Sequence, residues 1–161
     1  MRREEREATF TEYVASRRDR LRRLAYGLCG DWHRADDLVQ TALVKLYPVW
    51  PRVHRDGHEY AYLRTILVRA GIDESRRPWR RERAGLPPED RPQRASLPVE
   101  DRDALVDALQ QLPGQQRAVV LLRHWWGLSV TETAAELGIA EGTVKSHSHR
   151  GLAALQELLT V

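Results

Sequence analysis

Cysteine is nearly missing from this sequence: Cys29 stands alone in 161 residues. One thiol excludes an internal disulfide framework and leaves no cysteine cluster for a zinc site. Cys29 is therefore expected to be a buried core thiol rather than a redox centre. Long apolar runs are absent too. No stretch approaches the ~18 residues that a membrane-spanning helix needs, so no membrane insertion is expected. The opening MRREEREATF mixes acids with arginines and lacks an apolar h-region, so it does not read as a secretion signal. A cytoplasmic location is the expectation. Lysine is scarce as well: Lys45 and Lys145 are the only two, and the bias toward arginine reads as that of a GC-rich genome. No activated nucleophile, metal-ligand set or phosphate-cradling glycine loop is found, so catalysis, a metal and a cofactor are all unexpected.

What is present is helical. The chain is 42% hydrophobic and 30% charged, with 7% aromatics, and its apolar residues recur at helical spacing. From about Ala8 to Cys29, Phe10, Tyr13, Val14, Leu21, Leu24, Ala25 and Leu28 make one long amphipathic stripe. Asp31 is a credible N-cap for a second helix, Trp32 to Tyr47, which Pro48 stops. Its inward side holds Ala35, Leu38, Val39, Ala42, Leu43 and Leu46. Asp36 and Asp37 point to different faces and do not look like a catalytic dyad. A loop with Trp50, two arginines and His54 follows, and then a third helix, about Glu59 to Arg77. Residues 78–100 hold five prolines and many charges, which reads as a flexible Pro/Arg-rich linker. A second helical domain, 101–161, opens with a helix that Asp101 or Asp103 starts, with Leu105, Ala108, Leu109 and Leu112 as its stripe, and Pro113 fits the first turn of another, with Trp125 among its apolar positions. The fold class predicted is all-α: an N-terminal three-helix bundle over 1–77 and a C-terminal helix-turn-helix domain, two small domains in one chain.

The helix-turn-helix is the strongest local signal. Ser129 stands three residues before Glu132, a capping box in which each side chain answers the other residue's orphan N–H. Ala134, Leu137, Ile139 and Val144 supply the contacts between the two helices, and Gly138 marks the turn, where a positive φ is expected. The second helix runs from about Glu141 to about Leu155 and is built to lie in a DNA major groove. Ala140 occupies its N-cap, where Ser or Asp would stabilise it by about 1 kcal/mol. An ordinary αα-hairpin has the same outline. The donors Thr143, Lys145, Ser146, His147, His149 and Arg150 favour DNA, since they can reach phosphates or base edges.

Charge distribution limits how such a domain would work. The chain carries +3 overall with a pI near 9.3. The N-terminal 77 residues are net positive, whereas residues 103–161 hold more acids than bases. DNA affinity of the second domain alone should then be weak, because phosphate neutralisation supplies much of such affinity. That points to a module working inside a larger assembly.

Taken together, these residues resemble a sigma factor of the sigma-70 family, of the short extracytoplasmic-function type. ADDLVQTALVKLY (35–47) resembles the family's core-polymerase-binding helix. LPGQQRAVVLLRHWWGLSVTETAAELGIAEGTVKSHSHRGLAAL (112–155) resembles region four, which reads the −35 promoter element. The resemblance implies that Asp36, Asp37, Gln40 and Thr41 meet core RNA polymerase at the β′ clamp helices. Thr41 stands where the family has Glu. The β flap would hold the second domain. It also implies that the third helix reads and helps melt the −10 element through Arg64, Arg69, Asp73, Arg76 and Arg77, with Trp50 in the loop that wedges the duplex. Arg69 stands where relatives often carry Asn, and can hold phosphate or stack on a base. His147 replaces a common Arg and Thr133 a usual Ile, which implies a lower, pH-sensitive −35 affinity.

The function so implied is a sigma factor that binds core RNA polymerase and directs promoter-specific initiation at −35 and −10 elements. Its partners are the core enzyme and promoter DNA, with an anti-sigma factor as a further candidate for two small domains whose docking faces are exposed when free. A free-standing helix-turn-helix regulator binding operators as a dimer is the alternative from another class; a sigma-like decoy that titrates an inhibitor is a third. The N-terminal bundle separates the first two, because it resembles a polymerase-docking surface rather than a dimerisation or sensing domain.

Overall fold

The computed structural model describes residues 1–75 and 101–160. The predicted linker, and with it Arg76 and Arg77, lies outside the described residues. Among the described residues there is no strand, and the chain is all-α.

The N-terminal half is built from α1 (Arg3–Cys29), α2 (Trp32–Leu46), α3 (Trp50–Arg55) and α4 (Glu59–Ser75). Helix α1 begins five residues before the expected start. It ends at Gly30, whose φ of 74° closes the last turn through a backbone bond to Tyr26 O. Asp31 caps α2 as expected, its carboxylate accepting from the Arg34 N–H at 3.1 Å. Pro48 ends α2, but the expected loop after it is helical. Pro48 sits in a 3₁₀ turn (Tyr47–Val49) and Pro51 in the first turn of α3, where the missing N–H costs nothing. Helices α1, α2 and α4 form the three-helix bundle, and Arg34 of α2 pairs with Glu74 of α4 at 2.9 Å.

The C-terminal half holds α5 (Asp101–Gln110), α6 (Gly114–Val120), which runs into a π turn (Leu121–Trp125), and the pair α7 (Val130–Leu137) and α8 (Glu141–Leu159). The pair has its own small core of Ala134 and Val144 under Val119, edged by Val130, Leu137 and Ile139. This is the contact set expected from spacing, with Val119 added from α6.

The two helical domains are those expected, and their packing adds a feature the sequence did not announce. In this structure they lie against each other and share one apolar core, from Leu21 and Leu28 through Leu63 and Leu67 to Val106, Leu109, Leu121 and Leu122. The last turns of α1, Leu24 to Cys29, are buried all round, because α2 and α4 cover one side and the C-terminal half covers the other. Gly27 makes that approach possible: a Cβ there would sit 3.2 Å from Leu121 Cδ2 and 3.7 Å from the Trp125 ring. Polar bonds also cross the seam. Tyr26 OH donates to Asp103 at 3.2 Å, Gln110 Nε2 to Gly27 O at 3.0 Å, and the Trp126 indole N–H to the Tyr60 hydroxyl. Arg117, only 3% exposed, reaches Leu28 O at 2.8 Å.

Candidate nucleic-acid interface

The first helix of the pair, α7, is set by caps that the sequence announced. Ser129 Oγ accepts from the Glu132 N–H and Glu132 Oε1 from the Ser129 N–H, both at 3.0 Å, and these bonds hold the Glu132 carboxyl below its ordinary pKa. Gly138 has φ 67°, while Ala140 caps α8 with no side-chain bond. Thr133 is buried, its hydroxyl donating to Ser129 O at 2.8 Å. The buried hydroxyl is thus satisfied at the N-terminus of its own helix.

Helix α8 then divides into two faces. Val144, His147, Ser148, Gly151 and Leu155 follow each other at helical spacing and turn toward the body of the domain. A Cβ at Gly151 would come within 2.5 Å of Val120 Cγ2, so only glycine lets α6 cross here. Thr143, Lys145, Ser146, His149 and Arg150 are exposed on the other face. His147 is a correction to the expected donor set. It is half-buried, and its Nε2 lies 3.2 Å from Gln115 Oε1 of α6, to which an Nε2–H donates. Ser148, beside it, bonds His124 at 2.8 Å; burial and Arg123 hold that imidazole below its ordinary pKa.

Helix α4 presents a second face. Arg69 and Asp73 are exposed, and Arg69 lines a shallow cleft with Arg52, His58 and Tyr62. Arg64 is committed elsewhere: its Nε meets Glu136 Oε1 of α7 at 2.8 Å, with side-chain exposures of 17% and 6%. Trp50 is a second correction. It is wholly buried, donates its indole N–H to Thr9 Oγ1 at 2.9 Å, and packs edge-on against Phe10 and flat against His54. Trp50 pins α3 to α1 and offers no ring to a DNA base.

A third exposed strip lies on α2. Asp37, Gln40 and Thr41 share one face, and the same spacing continues to Val44, which is 61% exposed. Val44 was missed at the sequence level, although extending the 37/40/41 spacing by one turn finds it. Asp36 is turned aside to Arg22 of α1 at 2.7 Å, whose guanidinium lies over the Trp32 ring. Among the described residues no group of three or more His, Cys, Asp or Glu is placed to hold a metal, and no helix is long and apolar enough to cross a membrane.

Comparison with known families places both halves. The model for sigma-70 region 2 matches residues 13–81, and that for sigma-70 region 4 matches residues 102–155. The chain belongs to the sigma-70 family. It is an RNA polymerase sigma factor of the extracytoplasmic-function type, a protein of promoter-specific initiation; the family match does not favour an autonomous operator-binding regulator. This sigma factor is 42% identical over 156 residues to the RNA polymerase sigma-E factor of Streptomyces coelicolor, covering 93% of this chain and 85% of the relative. It is 35% identical over 142 residues to the extracytoplasmic-function sigma factor SigL of Mycobacterium tuberculosis, covering 83% and 79%. Among solved structures it resembles the sigma factor RpoE from Bartonella quintana, crystallised with the anti-sigma factor NepR, at a TM-score of 0.72 and 29% identity over 95% of this chain and 98% of that one.

Proposed function

We propose that this sigma factor divides its work as follows: residues 1–77 bind core polymerase and read and melt the −10 element, 78–100 connect, and 101–161 read the −35 element. On α2, the strip of Asp37, Gln40, Thr41 and Val44 docks on the β′ clamp helices, with Asp36 available once Arg22 releases it. On α4, Arg69 and Asp73 face the −10 strand, with Arg64 beside them when it is freed from Glu136; Arg76 and Arg77 are assigned the same task. The exposed face of α8 enters the −35 major groove, with Thr143, Ser146 and His149 near base edges and Lys145 and Arg150 on phosphates. The second domain also rests on the β flap. The single observation that carries this reading is the division of α8, whose inner stripe is consumed by packing while five donors remain together on the outside.

No chemistry is assigned to the chain: phosphodiester formation belongs to the core enzyme, and the sigma factor supplies position. It works in the cytoplasm, where polymerase and chromosome are. Like the Bartonella relative, it is a candidate for capture by an anti-sigma protein. Linked readers held by polymerase gain effective concentration, so neither half needs high DNA affinity by itself. The test is run-off transcription by purified core polymerase, with and without this chain, on promoter fragments of its own genome. Discrete starts that require the chain are expected, and Asp37→Ala with Gln40→Ala should abolish them while the helicity of the chain is retained. Starts that persist in that double variant would refute the docking strip.

A further inference from the structure

We infer that the recess between α1 and the π turn is a binding site for a nucleoside phosphate, which it takes by two guanidinium groups and the face of an indole. The cavity there has a volume of about 180 Å³ and is lined by Arg20 and Arg23 of α1 and by Trp125 and Trp126. That volume is about six waters at their share of the liquid, enough for a phosphoryl group or one ring, with the rest of the ligand outside. The recess shares no residue with the α2 strip or with the DNA faces assigned to α4 and α8, so it does not depend on those assignments.

The cations of the recess are unspent. Residues 17–23 hold five arginines against one aspartate. Arg22 is committed to Asp36, whereas Arg20 and Arg23 are exposed and, among the described residues, neither forms an ion pair. Arg20 is steered by a ring instead: its Cζ lies 5.5 Å from the centroid of Tyr60, and Arg17 approaches the same ring at 5.8 Å. Guanidinium groups so gathered bind phosphate oxygens through forked N–H bonds. The aromatic wall is held in place. Trp126 donates its indole N–H to the Tyr60 hydroxyl, and Trp125 lies over Gly27 of α1. Their centroids are 6.3 Å apart with planes 29° apart, and both are half-buried, which fixes the rings while leaving aromatic surface open. Inorganic phosphate would use only the arginines and an uncharged ring only the indoles; a nucleotide uses both. Every base has a π face, so the recess selects nucleoside phosphates as a class rather than one base. A single strand needs a basic groove several nucleotides long, and four side chains round one small cavity favour a mononucleotide.

The experiment titrates the full chain with ATP and with GTP in the presence of EDTA, and follows indole fluorescence and heat. One nucleotide per chain is expected to bind, saturating below about 1 mM, with quenching as the base stacks. Tripolyphosphate has the charge without the ring and adenosine the ring without the charge; each should bind at least about tenfold more weakly. Arg20→Ala and Arg23→Ala should each cost about tenfold in affinity. Arg18→Ala removes an exposed arginine of the same run from outside the recess, and should change affinity by less than about twofold. Circular dichroism checks helicity, which alanine in a helix preserves. No saturable binding of either nucleotide would overturn the site. Tripolyphosphate binding as tightly as ATP would overturn the role of the indoles, and with it the nucleotide. A loss in Arg18→Ala equal to that in Arg20→Ala, or an oligothymidylate binding more tightly than ATP, would replace the recess by a diffuse basic face and overturn the proposal. All of these readings are taken on the free chain, so their failure is separate from any failure in run-off transcription.

Discussion

Arg117→Met is the substitution with the largest expected effect on stability. The Arg117 guanidinium donates to Leu109 O at 2.8 Å, Leu112 O at 2.9 Å and Gln110 O at 3.2 Å, which are carbonyls at and just past the end of α5. Its fourth bond, to Leu28 O at 2.8 Å, ends in the other half of the molecule. The side chain is thus a buried cationic cap: it satisfies orphan carbonyls at a helix C-terminus, where the dipole favours positive charge. Hydrogen bonds to a charged group contribute about 1.5–3 kcal/mol each. A plain sum over four overshoots, because one desolvation cost is shared among them. A buried carbonyl left without a donor costs about 1–3 kcal/mol, and several are orphaned here while the cost of burying the cation is relieved, so a net loss of about 2–4 kcal/mol is the better guide. Methionine fills most of the volume, so the loss isolates the bonds from a cavity. Against a total stability of about 5–15 kcal/mol, Arg117→Met should be marginally folded at room temperature. Urea unfolding followed by circular dichroism measures it. Arg117→Lys should recover only part of the loss, since an ammonium cannot fork to divergent carbonyls. A loss below about 1 kcal/mol for Arg117→Met would refute the cap, because it would mean that the carbonyls find water or other donors.

The other expectations are smaller and more local. Ala140→Ser should stabilise the chain by about 1 kcal/mol in urea unfolding, since Ala140 has extended φ and ψ and caps α8 without a side-chain bond. Gly138→Ala and Gly151→Ala should both destabilise, for different reasons. Nothing lies within 4 Å of a Cβ at Gly138, so its cost is the left-handed conformation, about 1–2 kcal/mol. At Gly151 the cost is overpacking against Val120, about 1–3 kcal/mol, and Val120→Ala in the same chain should recover part of it. The capping box gives a pH dependence of known sign. Glu132 is held below its ordinary value by Ser129, so its contribution is present above about pH 4.5 and fades as pH falls through the lowered value. Glu132→Gln should flatten that part of the urea-midpoint profile, because it removes the titrating carboxyl. Lys145→Ala and Arg150→Ala should each reduce the salt slope of promoter binding by about one phosphate contact; an unchanged slope would take that residue off the DNA face.

Most of the helix-turn-helix was legible in the sequence because its determinants are local. Caps act over three residues, and the turn glycine and the apolar contacts act over ten or so, so Ser129, Glu132, Gly138 and Val144 stand where spacing put them. His147 was misplaced although the same spacing contained the answer. Once Val144 is inward, the residue three later is inward too, and a donor there is spent on the protein. Trp50 failed for another reason. The two prolines around it suggested a loop, whereas prolines in first turns are compatible with helix, and a short helix delivers the indole to the core. On α2 the strip read from the sequence ended at Thr41; the same spacing carried one turn further reaches Val44, which is 61% exposed.

The seam between the halves was the part least accessible from sequence, and the reason is separation along the chain. Arg64 and Glu136 are 72 residues apart and Leu28 and Arg117 are 89 apart; no periodicity links them. A trace of the seam was nevertheless present. An amphipathic helix covered on one side should keep a polar face throughout, and α1 does so through Arg23. Its last turns, LAYGLC, are apolar in every direction, which is the pattern of a helix buried all round. Six such residues require a second covering surface, and in a chain of two small domains only the other domain can supply it. The same reasoning bears on charge. The C-terminal half holds more acids than bases, and one of those acids, Glu136, is spent on Arg64 of the N-terminal half at 2.8 Å, so part of its negative charge is a contact between the halves.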